Sequence, residues 1–151
     1  MLVLANGAPV LAARLCGSRW NRPIDGGRLF TDGQPVLGPN KTWRGLVSGA
    51  LASGAFSLVI GMDALFGCLF GLLALVGDAS SSFIKRRLRL EGSARAPGLD
   101  QLPEALLPML LAGVWLSLSW LTIVLVVIGF AASNMLLSPL LFRLGIREHP
   151  H

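Results

Sequence analysis

Asp78 interrupts an otherwise apolar run, in Val76-Gly77-Asp78-Ala79-Ser80. A carboxylate at membrane depth is expensive to bury, so by default it marks a functional site. Asp78, Ser82, Lys85 and Arg89 follow one another at steps of four, three and four, which places them on one helical stripe. That stripe starts among apolar residues and ends in a basic cluster. The competing reading is a structural bridge from Asp78 to Lys85 or to an arginine. A second group is the junction from Gly33 to Gly45, which contains Gly38-Pro39-Asn40-Lys41-Thr42-Trp43-Arg44. It resembles a nucleotide P-loop, but Pro39 and Asn40 separate Gly38 from Lys41, so that motif is rejected. A loop feeding a helix start still offers free N–H groups and a favourable dipole to phosphate. Lys41 and Arg44 add fixed charge. A plain interfacial anchor of Lys, Trp and Arg accounts for the same residues. The third group is acidic: Asp25, Asp32 and Asp100. Hard oxygen donors of this kind suit Mg2+, which keeps waters and substrate phosphates in its shell. Asp78 and Asp100 would share a metal if their helices adjoin. Asp25 and Asp32 fit turn positions equally well.

Five apolar spans must position these groups. They run over about 1–17, 43–62, 64–84, 102–117 and 119–143, with loops at 18–42 and 85–101. The first is short for a bilayer and is broken by Asn6, Gly7 and Pro9. Thr42 is a plausible N-cap for the second. Gly45, Gly49 and Ser53, and then Gly67 and Gly71, form small-residue stripes that permit close helix contact in lipid. Pro103 suits the first turn of the fourth span.

The chain has 151 residues, is 53% hydrophobic and 14% charged, and carries a net charge of +5. This is too apolar for a typical soluble domain, and the length allows a single helical unit. All thirteen Lys and Arg can be placed at one end of the spans, whereas Asp63 is the sole charge at the other. The positive-inside rule then predicts a multi-pass protein of the cell (inner) membrane, with both loops and the C-terminus cytoplasmic. It also explains most of the positive charge. With no Tyr and no RNA-binding aromatic motif, nucleic acid is not an expected partner. Cys16 and Cys68 read as inert small residues, and no basic n-region points to a cleaved signal peptide. His149 and His151 read as solvated. No His–Cys cluster suggests zinc and no Gly-x-Ser-x-Gly suggests a hydrolase. Cations and a few carboxylates gathered at one face suit phosphoryl chemistry, which needs positioning, metal and positive charge.

Several segments are similar, in order along the chain, to the CDP-archaeol synthase family, related to the CDP-diacylglycerol synthases. They are Pro23-Ile24-Asp25, Asp32-Gly33, the run from Gly38 to Gly45, Gly77-Asp78, Ser82-Phe83-Ile84-Lys85-Arg86-Arg87, and Pro97 with Leu99-Asp100-Gln101-Leu102. The resemblance implies an all-α polytopic membrane cytidylyltransferase that converts CTP and a lipid phosphate to CDP-lipid and pyrophosphate with Mg2+. It implies that Asp78 and Asp100 are metal-linked and, with Lys85, catalytic. It assigns substrate binding to Asn6, Lys41, Thr42, Arg44, Ser82 and Arg86. The family often places an Asp at the position of Pro103, with Glu104 here as its substitute. The His-Gly-Gly segment of the phosphatidate enzymes is absent, which favours the archaeol-type branch or a bacterial-type relative. The small-residue stripes would allow a homodimer. A small transporter with an intramembrane carboxylate, or a non-catalytic relative, are the other readings.

Overall fold

The computed structural model describes residues 1–90 and 99–143, with residues 136–143 described as helix backbone alone. Arg95, Pro97, Arg147, His149 and His151, and the side chain of Arg143, lie outside the described residues. The fold is all-α: α1 (Leu2–Cys16), α2 (Trp43–Val59), α3 (Ala64–Arg87), α4 (Gln101–Leu116) and α5 (Trp120–Arg143). The helices run up and down. Each packs on the next in sequence, α1 also touches α3, and α5 rests on α4.

Local chemistry explains the boundaries. Thr42 caps α2, its hydroxyl accepting from Gly45 N at 3.2 Å. Asp63 caps α3 through the amides of Leu65 and Phe66. Ser57 of α2 ties the intervening turn by donating to the Asp63 carbonyl. α1 is helical throughout Asn6, Gly7 and Pro9, which interrupt its apolar run but not its helix. Pro9 deprives the Ala5 carbonyl of its helical donor, and Gly49 brings the backbone of α2 against that same oxygen.

Small residues set the helix spacing. A Cβ at Gly71 would sit 2.9 Å from the Gly49 carbonyl, and one at Gly67 2.6 Å from that of Ser53. The stripes that would allow a dimer are used within one chain, Gly67 and Gly71 against α2 and Gly45 and Gly49 also against Pro9 and Ala5 of α1. Gly77 lies against the backbone of Pro103 and Glu104, with no room for any side chain. This contact seats α4 beside the Asp78 turn of α3. Away from the polar end, Phe66, Phe70 and Trp115 stack at centroid distances of 5.6 and 5.9 Å over Met109 and Ala112.

α3 is long and apolar enough to cross a bilayer by itself, and α1, α4 and Trp120–Met135 are shorter apolar helices. Their outer faces are apolar and open, with Leu15 and Val114 each 86% exposed. Such a surface belongs against lipid rather than water.

Candidate active site

The 18–42 loop is folded by its own backbone. Val36 N donates to Arg28 O at 3.0 Å and Phe30 N to Gln34 O at 2.8 Å, which makes a narrow turn. Its base closes where Ile24 N donates to Lys41 O and Trp43 N to Arg22 O. Asp25 is the organiser, accepting from the amides of Gly27, Leu37 and Gly38 at 2.8–2.9 Å. Burial works against its charge, but the amides of Gly38, Leu37 and Gly27 outweigh that and hold the carboxyl below its usual range. Asp25 therefore takes the turn role, and Asp32, accepting from Gln34 N at 3.0 Å, does likewise.

These contacts also decide the phosphate-cradle question. The amides of Leu37 and Gly38 are consumed by Asp25, that of Gly45 by Thr42, and that of Trp43 by Arg22. The junction's glycines do not form an open amide nest. Lys41 adds a side-chain cation at the same place.

Beneath the loop lies a cleft of about 770 Å³ between α1, α2 and α3. Asn6, Asn40, Lys41, Thr42, Asp78 and Ser80 give it a polar rim, and Val10, Leu46, Leu75, Val76, Phe83 and Ile84 line an apolar wall. Lys41 reaches down from the loop and pairs with Asp78. On the α4 side Lys85, largely buried, pairs with Asp100 at 2.9 Å. Asn6 donates to Glu104 and, at 3.0 Å, to the carbonyl of Leu2. Two ion pairs and the Asn6–Glu104 hydrogen bond thus lie on neighbouring elements of one end of the bundle. α1, the loop, α3 and α4 each contribute a partner.

The carboxylates bear on metal binding. Among the described residues, no three His, Cys, Asp or Glu side chains form a ready-made cage. Asp78 and Asp100 nonetheless provide hard oxygens on adjoining helices, each held by a lysine. This donor set fits a cation that takes one or two carboxylates and completes its shell with water and substrate phosphates.

Of the residues proposed from sequence, Asn6, Lys41, Thr42 and Asp78 line the cleft, while Lys85 and Asp100 form the neighbouring pair. Thr42 is also the α2 cap, so its hydroxyl is already engaged. Arg44 is not brought to the cleft. Its guanidinium donates to the carbonyls of Gly17 and Arg19 at 2.8 Å and to Asn21, fastening the end of α1 to the start of α2. Ser82 turns back to donate to the Asp78 carbonyl. Arg86 lies over Gly38 at the loop's edge. Arg89 leaves the stripe, because α3 ends at Arg87 and Arg89 adopts a φ of 54°. Asp78 pairs with Lys41 across the fold rather than with Lys85 or an arginine of its own helix. Sequence reasoning gave no role to Arg87, whose partners other than Phe83 all come from tertiary folding.

Comparison with known proteins places this geometry. The CarS-like family model, described as CDP-archaeol synthase, matches residues 52–151. The chain is similar to a CDP-archaeol synthase of Thermofilum pendens, 34% identical over 97% of this chain and 75% of that protein. One from Hyperthermus butylicus is 44% identical over 72% of this chain and 67% of its own length. One from Methanopyrus kandleri is 36% identical over 93% and 84%. These relatives are archaeal, where the sequence pointed to a bacterial-type member. A solved structure, described as an intramembrane enzyme for archaeal membrane lipid biosynthesis, aligns with a TM-score of 0.69 and 34% identity. It covers 90% of this chain and 87% of its own.

Proposed function

We propose, starting from the fact that the chain belongs to the CDP-archaeol synthase family, that the cleft beneath the 18–42 loop is its catalytic site. The protein is a membrane CTP-dependent cytidylyltransferase. In the reaction, an oxygen of the lipid phosphate attacks the α-phosphorus of CTP, a new P–O bond forms, and the bond to pyrophosphate breaks. The observation that carries the site assignment is the Lys41–Asp78 pair on the cleft's polar rim, opposite an apolar wall, with the Lys85–Asp100 pair where the adjoining α4 begins.

Lys41 and Lys85 are the phosphate-binding cations in this reading. Their ammonium groups pair with Asp78 and Asp100. An arriving triphosphate draws them toward its oxygens, where they offset the charge that develops on the leaving pyrophosphate. Asp78 and Asp100, with Glu104 close by, are the residues that would hold Mg2+. When bound, that ion would screen phosphate charge and act as a Lewis acid at phosphorus. Asn6 and Glu104 hold the α1 side of the cleft to α4. Val10, Leu46, Leu75 and Val76 give the lipid an apolar bed, so its phosphate meets the polar rim while its chains stay in hydrocarbon. The polar end faces the cytoplasm, where CTP is found and where the positive-inside rule puts the basic loops. The family name points to an archaeol-type lipid phosphate.

Family membership displaces the transporter reading. Purified protein in liposomes, given labelled CTP and archaeol-type, diacyl or polyprenyl phosphates, should release pyrophosphate in step with CDP-lipid. Release should stop on chelation and return with Mg2+. CTP turnover that ignores added lipid phosphate would overturn the assignment.

A further inference from the structure

Arg87 does not line the cleft, and the reaction gives it no task. Its guanidinium is nevertheless held on several sides. Nη1 lies 3.0 Å from Asp32, and Nη2 donates to the Pro35 carbonyl at 2.7 Å and the Gln34 carbonyl at 3.4 Å. Its carbon centre sits 4.6 Å from the centroid of Phe30 and 4.8 Å from that of Phe83, two rings that meet edge to face. Every partner except Phe83 belongs to residues 30–35, the tip of the narrow turn. Phe83 sits one helical turn before Arg87 and does line the cleft. The chain leaves this turn as Leu37, Asn40 and Lys41, which form the cleft's roof.

We propose that Arg87 is a positioning residue for the nucleotide: by clamping the 30–35 turn to α3 it fixes the roof that delivers Lys41 to Asp78. The inference rests on the cleft being the nucleotide site. The chemistry demands arginine. A planar guanidinium packs against aromatic rings while donating in its plane to the Gln34 and Pro35 carbonyls and ion-pairing with Asp32, whereas an ammonium keeps the charge and loses the geometry.

Two readouts on the full-length protein in detergent test this. The first is tryptic cleavage at Arg28, an exposed residue at the base of the turn, which needs no assumption about the reaction. The second is the split between KM and kcat. For Arg87→Ala, cleavage at Arg28 and the KM for CTP should each rise about tenfold, the scale of losing charge-assisted hydrogen bonds. kcat and the KM for lipid phosphate should stay within about twofold. Arg87→Lys should behave like the alanine variant. Phe30→Leu removes one ring, keeps the hydrogen bonds, and should move both readouts about threefold; it decides the matter if Arg87→Ala does not purify. Unchanged cleavage, or full recovery by lysine, overturns the clamp. Faster cleavage without a change in the KM for CTP overturns its role toward nucleotide. A wild type with no CTP turnover whose turn still opens on substitution separates failure of the reaction from failure of the clamp, and it too ends the nucleotide role.

Discussion

Lys85, on the last turn of α3, donates to the Asp100 carboxylate 2.9 Å away where α4 begins. Asp100 occupies the N-cap position of α4 yet makes no capping bond with its side chain. The carboxylate is committed to the lysine rather than to the helix end. With side-chain exposures of 10% and 26%, the pair is largely withdrawn from water. Asp100→Asn should therefore destabilise the protein by about 1–3 kcal/mol, since a mostly buried ammonium loses its carboxylate. Adding Lys85→Met should restore much of that stability but none of the turnover. Thermal unfolding in detergent and pyrophosphate release distinguish the two effects.

Asn6 and Glu104 join α1 to α4 by one hydrogen bond. Asn6→Asp would replace the amide that donates to Glu104 with an acidic group and should lower stability by about 1–3 kcal/mol. Glu104→Gln in the same chain supplies a donor and should recover most of the loss. A double-mutant cycle on melting temperature measures the coupling.

Gly77 meets the backbone of Pro103, which has no flexible end to move aside. Gly77→Ala should cost about 1–3 kcal/mol and depress turnover, because α3 and α4 carry Asp78 and Asp100. Gly7 and Gly129 have nothing within 4 Å of a built Cβ. Alanine at either should be neutral or stabilise by up to about 1 kcal/mol through helix propensity. Equal effects at all three positions would contradict the packing described.

Asp25 carries the pH dependence of the loop. Its folded pKa lies below that of the unfolded chain. The resulting stability is thus fully present above the ordinary carboxylate pKa and is lost as pH falls through the lower folded value. Hydrogen exchange at the Leu37 and Gly38 amides should stay protected at neutral pH and speed up, beyond the intrinsic pH effect, under acid conditions. Asp25→Asn should remove that acid transition.

The helices, and Asp78 as a charge set within one of them, were legible because their signals are local. Apolar runs, Thr42 and Asp78 can each be read from a few neighbours along the chain. Glycine spacing showed that helices pack closely, but not which ones, so Gly49 and Gly71 were as suited to a dimer as to the α2–α3 contact. The loop was least legible. Its order comes from Asp25 bonding to amides twelve and thirteen residues away and from Arg87 reaching back over fifty. No periodicity records such pairings. Arg44 was misplaced for the same reason: its charge suggested phosphate, but folding surrounds it with the carbonyls at the end of α1.

Under the proposed function, Asp78 is the carboxylate that Lys41 pairs with and that the reaction uses. The most direct measurement is the rate of CDP-lipid formation by Asp78→Asn beside wild type, in liposomes with saturating CTP, Mg2+ and lipid phosphate. The melting temperature of each sample serves as the folding control. The expected result is a loss of about a hundredfold or more with the fold retained, the scale of removing a group that stabilises developing charge. Wild-type turnover in the asparagine variant would contradict the account.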